Sequence, residues 1–141
     1  MPTAKTKKQP ITNITLSRTA AGLVDQDWPD VGQPEGELSI DVFHDRNNVY
    51  IQSTVAGVKP SDLEISVHHD MVTIRGERKN EHQAVSDDYF CRECFWGRFS
   101  RSVILPFNVQ TDKIEAELTD GILTVTLPKL KRQRTIPIAV T

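Results

Sequence analysis

The chain has 141 residues, 26% of them charged, a formal net charge of -2 and two cysteines. That length suits one domain with tails and is too short for two ordinary domains, and the near-neutral charge gives no bulk electrostatic case for nucleic acid. Two cysteines cannot build a disulfide scaffold, no apolar run is long enough to span a membrane, and Lys5, Lys7 and Lys8 lead into Gln9-Pro10 rather than into the apolar core of a secretory signal, so a cytoplasmic location is expected.

Residues 1–36 are expected to form a variable, partly disordered arm. They are polar and broken by Pro2, Pro10, Pro29 and Pro34, with Ile11, Ile14, Leu16, Leu23, Val24 and Trp28 scattered among them. Such a segment cannot build a core by itself. Ile11 and Ile14 fit one face of a short helix, which is marginal without something to pack on. Two readings stay open: a disordered tail, or an adhesive arm that orders on contact with another protein through those apolar side chains.

A period of two then sets in, as expected for strands with one apolar and one wet face. Leu38, Ile40 and Val42 alternate with Ser39, Asp41 and Phe43, and Val49, Ile51, Ser53 and Val55 alternate with Tyr50, Gln52 and Thr54. Asp45-Arg46-Asn47-Asn48 is the turn between them. Beyond the connection Ala56 to Ser61, Leu63, Ile65 and Val67 alternate with Glu64 and Ser66, His69-Asp70 turns the chain, and Val72 and Ile74 run on to Gly76. Glu77 to Asp88 is charged and without apolar period, a long exposed loop that leads into the aromatic stretch Tyr89 to Trp96.

Phe99, Arg101, Val103 and Leu105 read as a strand that stops at Pro106. Ile114, Ala116 and Leu118 pair across Asp120-Gly121 with Leu123, Val125 and Leu127. Asp-Gly is the favoured two-residue hairpin connection because both central residues take positive φ. Short strands at regular spacing with no long helical period predict an all-β protein, an immunoglobulin-like antiparallel β-sandwich over residues 37–128, followed by a tail at 129–141.

That tail ends Ile136-Pro137-Ile138 before Ala139-Val140-Thr141. Residues two apart in an extended segment face the same way, so Ile136 and Ile138 project together while Pro137 fixes φ and lowers the ordering cost of docking. From Leu127 to Ile136 an extended chain spans roughly 30 Å, enough to reach a neighbouring molecule. A frayed tail with incidental apolar residues is the alternative. The basic run Lys129 to Arg134 is best read as a solvated hinge.

Taken together, five pieces resemble the small heat-shock proteins, whose core is the α-crystallin domain. They are Ala56-Gly57-Val58 with Asp62-Leu63-Glu64-Ile65; Val72-Thr73-Ile74-Arg75-Gly76-Glu77-Arg78; Gly97-Arg98-Phe99-Ser100-Arg101 running to Leu105-Pro106; Ala116 with Asp120-Gly121-Ile122-Leu123; and Ile136-Pro137-Ile138. The resemblance covers about Leu38 to Ile138.

The resemblance implies an ATP-independent holdase that binds partly unfolded proteins and leaves refolding to ATP-driven chaperones. It would work as a homo-oligomer of dimers with no cofactor, no metal and no catalytic residue. In such proteins the terminal anchor Ile136, Pro137 and Ile138 enters a groove between the strand Leu63, Ile65, Val67 and the strand Ile114, Ala116, Leu118 of another copy. A short strand on the long loop, here Tyr89, Phe90, Cys91 and Arg92, pairs with the partner's first strand near Leu38, Ile40 and Val42. Client contacts fall in the arm, here Ile11, Ile14, Leu16, Leu23, Val24 and Trp28. The competing expectation is a related co-chaperone sandwich that binds one folded partner as an adaptor.

Arg101 sits in a strand and needs an acidic or carbonyl partner if buried, which points to an interface charge network, with a snorkelling surface arginine as the alternative. Cys91-Arg92-Glu93-Cys94 has a redox-like spacing, but residues three apart on a strand point to opposite faces, and two thiols packing in an aromatic strand is the expectation. Zinc would require His82, His68 and His69 to converge from separate places. No nucleophile, base and orienting group form a recognisable set, and no phosphate-cradling glycine loop is present.

Overall fold

The computed structural model describes residues 8–11, 14–16, 35–82 and 84–130. Its strands are β1 (Gln9–Pro10), β2 (Ile14–Leu16), β3 (Gly36–Glu37), β4 (Asp41–His44), β5 (Asn48–Thr54), β6 (Leu63–His68), β7 (Met71–Arg78), β8 (Gly97–Ile104), β9 (Glu115–Thr119) and β10 (Ile122–Pro128). They form two five-stranded sheets, ordered β1-β9-β10-β5-β4 and β2-β6-β7-β8-β3.

The alternation in the sequence becomes the two inner faces of a sandwich. Val49, Ile51, Leu123, Val125 and Leu127 of the first sheet meet Leu63, Ile65, Val67, Val72 and Ile74 of the second, all essentially without solvent contact. Burying each of these aliphatic side chains is worth about 1.5–3 kcal/mol before ordering costs. Register follows from the same faces: in the β5–β10 ladder Ile51 opposes Val125, and in the β6–β7 ladder Ile65 opposes Ile74. A one-residue slip would turn either set outward. The β9–β10 hairpin closes as expected, with φ of 51° at Asp120 and 77° at Gly121.

Sequence expectations and structure differ first in the segment leading into β4. Leu38 to Val42 is not one strand. Gly36 and Glu37 pair in parallel with Phe99 and Ser100 of β8, and the Leu38 amide donates to the Ser100 carbonyl, whereas β4 pairs with β5 in the other sheet. The chain crosses between sheets at Ser39 and Ile40, where the Ser53 hydroxyl donates to the Ser39 carbonyl at 2.7 Å. The crossing buries Leu38 in the core and packs Ile40 against it.

The second difference is the arm. Ile11 and Ile14 do not share a helix face, because the arm meets unpaired sheet edges whose ladders offer more than an isolated helical turn. β1 pairs antiparallel with β9, and β2 pairs in parallel with β6. Two short parallel pairs thus join a sandwich that is otherwise antiparallel.

Candidate functional site

β9 and β6 are each the second strand of their sheet, flanked by the arm strands β1 and β2. Leu63, Ile65 and Val67 of β6 and Ala116 and Leu118 of β9 are buried in the core, and Ile114 packs against it just before β9. In the chain on its own these strand edges are already covered. The Ile11 amide donates to the Ala116 carbonyl at 2.9 Å, and Ile11 is only 4% exposed. Directly opposed residues in a ladder share a face, so Ile11 points inward with Ala116 while Pro10 and Glu117 point outward. Outside this edge lies a recess of about 490 Å³ lined by Lys8, Pro10, Glu115, Glu117, Thr124 and Thr126 among others.

A second surface lies at the opposite edge of the same sheet. All four residues of β4 are exposed, including Val42 at 38% and Phe43 at 48%, and among the described residues no strand pairs with its outer side. Phe43 stacks on Tyr50 with ring centroids 5.2 Å apart.

The long loop projects nearby in sequence between β7 and β8. Apart from one tight helical turn at Ser86–Asp88, its described residues carry no regular structure, and Val85, Phe90, Phe95 and Trp96 are exposed. Residues Tyr89 to Cys94 are therefore not a strand within a single chain, and Cys91 and Cys94 are exposed free thiols rather than packed among aromatics. Arg92 lies over the Tyr89 ring at 4.8 Å. Arg78 ties the end of the loop down, donating from Nε to the Ala56 carbonyl at 2.9 Å and from Nη1 to the Phe95 carbonyl at 3.3 Å.

Arg101 finds both kinds of partner expected of it, inside its own chain. Its Nη1 lies 3.2 Å from Glu37 Oε1 and reaches toward the Leu38 carbonyl at 3.5 Å. The guanidinium thus fixes the crossing segment to β8. Glu37 is largely exposed, so the ion pair itself contributes at most about 1 kcal/mol.

Sequence reasoning missed a polar cluster at the β4–β5 turn. Asp45 Oδ1 accepts from the Asn47 and Asn48 amides, and Oδ2 accepts from the Tyr50 hydroxyl at 2.7 Å. The Tyr50 bond, then the two amides, hold the Asp45 carboxyl below its ordinary value, and the same carboxylate pushes the Tyr50 phenol up. Lys129 docks on this turn from the far end of β10. The Asp45-to-Asn48 turn chemistry was the available signal, but the arrival of Lys129 from 84 residues away was not.

Among the described residues, no three His, Cys, Asp or Glu side chains are grouped to hold a metal ion, and no helix is long and apolar enough to cross a membrane. Leu23, Val24, Trp28, Ile136, Pro137 and Ile138 lie outside the described residues. The side chains of Ile14 and Leu16 do as well.

The sandwich and its edges have counterparts among known proteins. Residues 41–141 match the family model described as the Hsp20/alpha crystallin family. The chain is 37% identical over 107 residues to heat shock protein 16 of Schizosaccharomyces pombe, covering 73% of this chain and 75% of that protein. The solved structure of heat shock protein 16.0 from the same organism superposes with a TM-score of 0.65 at 32% identity, over 85% of this chain and 82% of that one. A small heat-shock protein from Xylella fastidiosa, described as having a distinct high order structure, superposes with a TM-score of 0.62 at 26% identity, over 74% of this chain and 95% of that one. With its family match over residues 41–141 and the same two-sheet sandwich, the chain belongs to the Hsp20/alpha crystallin family of small heat-shock proteins.

Proposed function

We propose that this chain is an ATP-independent holdase that assembles as an oligomer of dimers and captures partly unfolded proteins before they aggregate. The observation that carries the reading is the presence, among the described residues, of both a sheet edge, β4, with no strand on its outer side and a loop whose Val85, Phe90 and Trp96 are exposed. An open edge invites another chain, and filling it with the loop of a second copy removes an aggregation hazard while making a two-fold dimer. In this reading Tyr89, Phe90, Cys91 and Arg92 run beside the partner's β4. Ile136 and Ile138 then link dimers by entering the β6–β9 groove of another copy. Each isoleucine contributes about 1.5–3 kcal/mol before ordering costs, so one tail binds weakly and many bind well, which permits subunit exchange. Leu23, Val24 and Trp28 of the arm are the client contacts, and ATP-driven chaperones refold what is released.

The test is to warm a heat-labile enzyme with the purified chain and no nucleotide, beside an inert protein at equal mass, and follow light scattering. Suppression specific to this chain supports the holdase. Unchanged scattering over a range of ratios and temperatures points instead to an adaptor that binds one folded partner.

A further inference from the structure

The loop between β7 and β8 carries both cysteines of the chain, Cys91 and Cys94, as free thiols open to solvent. We propose that they are a paired oxidation site: a hydroperoxide converts them to a disulfide within the loop, and that disulfide and the pairing of the loop with a partner's β4 exclude one another. The exclusion rests on the dimer reading above; the disulfide does not.

The geometry of strand and disulfide conflict. In an extended strand residues three apart are separated by roughly 10 Å at Cα and point to opposite faces. A disulfide needs Cα atoms about 4.4–6.8 Å apart with the Cβ atoms turned toward each other. A loop lying extended beside β4 therefore holds the two sulfurs apart, whereas a four-residue turn, Cys91-Arg92-Glu93-Cys94, brings its ends within about 7 Å.

The single chain already departs from the extended form. It bends at Phe90, residues 91–96 belong to no strand, and Arg92 lies over the ring of Tyr89, three residues back, at 4.8 Å, a contact that side chains on opposite faces of a strand do not make. The far end of the segment is anchored. The Phe95 carbonyl accepts from Arg78, and its ring lies against Gly36, where an added Cβ would be 2.7 Å from Cε1. Closing the turn thus rearranges Cys91 to Cys94 and leaves Phe95 and β8 in place.

The chemistry needs only the hydroperoxide. One thiolate attacks it, the O–O bond breaks, and an alcohol, or water from hydrogen peroxide, leaves as a sulfenic acid forms on that sulfur. The second sulfur attacks the first, the S–S bond forms and water leaves with the remaining proton. The two thiols lose two electrons to the O–O bond, and a dithiol returns them by exchange. With no third cysteine in the chain, no other intrachain disulfide competes. The free subunit, whose loop is open to oxidant, is the form that reacts, and once oxidised it keeps Val42 and Phe43 of β4 uncovered.

The experiment treats the full chain with hydrogen peroxide, maps its thiols by peptide mass, and follows sedimentation velocity over a dilution series. The expected product is an intrachain Cys91–Cys94 disulfide, lighter than the reduced chain by its two thiol hydrogens. The dimer dissociation constant is expected to rise about tenfold or more, the scale of losing one buried aromatic side chain, and to recover after dithiothreitol. Cys91→Ser with Cys94→Ser is expected to dimerise as the reduced chain does and to ignore peroxide; loss of its dimer would move the effect to another residue and overturn the proposal.

Phe90→Ser, which leaves both thiols in place, separates this proposal from the dimer reading. A dimer weakened by Phe90→Ser but unchanged by the mapped disulfide would overturn the switch and keep the loop in the interface. A dimer changed by neither would place the loop outside the interface and remove the exclusion with it. Thiols that stay free under peroxide, or that join two chains, would overturn the oxidation site itself.

Discussion

Lys129 Nζ lies 2.9 Å from His44 Nδ1, within hydrogen-bond distance of the ring. The same ammonium donates to the Asp45 carbonyl at 2.7 Å and sits 4.0 Å from the Phe107 ring centroid. Around it the Lys129 amide donates to Asn47, the Leu130 amide to Asn108, and Gln110 Nε2 to the Lys129 carbonyl. These contacts form a clasp at the root of the C-terminal tail. Lys129→Ala is expected to cost about 1 kcal/mol of stability and to speed hydrogen exchange at the Leu130 amide while leaving the β10 amides protected.

Asp45 gives a pH dependence with a defined sign. Its folded pKa lies below the ordinary value, so the stability it contributes is present above the unfolded pKa and is lost as pH falls through the lowered folded one. Asp45→Asn is expected to lower the thermal midpoint at pH 7, and the gap from the unaltered chain should narrow as pH is taken from 5 to 3. Circular dichroism melts across that range check it; a gap that stays constant would show that charge on Asp45 is irrelevant.

Gly76 in β7 has no room for a side chain. A Cβ there would lie 2.5 Å from Phe99 Cζ and 2.9 Å from Leu63 Cδ2, both buried side chains with little room to retreat. Gly76→Ala is expected to destabilise the domain by about 1–3 kcal/mol through overpacking. Urea denaturation of the purified variant would measure it.

Phe90 is fully exposed in the single chain, so Phe90→Ser should leave the sandwich intact. If the loop lies along a partner's β4, the same change should weaken the dimer by about tenfold to a hundredfold, from the roughly 1.5–3 kcal/mol that a buried phenylalanine contributes. Sedimentation velocity over a dilution series reads this directly, and an unaltered dimer would place Phe90 outside the interface.

Ile136→Ala with Ile138→Ala is expected to shrink the particle seen by light scattering while preserving the strand signal in circular dichroism. Unchanged particle size would exclude the tail as the link between dimers.

The alternation of Val49, Ile51 and Ser53, of Leu63, Ile65 and Val67, and of Leu123, Val125 and Leu127 was enough to place strands and their inner faces, because period two is a property of each strand alone. The Asp120-Gly121 turn was equally legible, since its φ demand is met by two adjacent residues. Family membership also lay in the sequence, carried by short motifs in order. What the tertiary structure alone decided is which edges meet. The crossing at Ser39–Ile40 depends on Ser100 and Ser53, the Arg101 pairing on Glu37, the Lys129 clasp on His44, and the Ile11 pairing on Ala116. Each joins residues far apart in the chain, whose local sequences give no sign of the partner; only the closed sandwich, with its unpaired edges in fixed places, determines where such segments can satisfy their amides and bury their side chains.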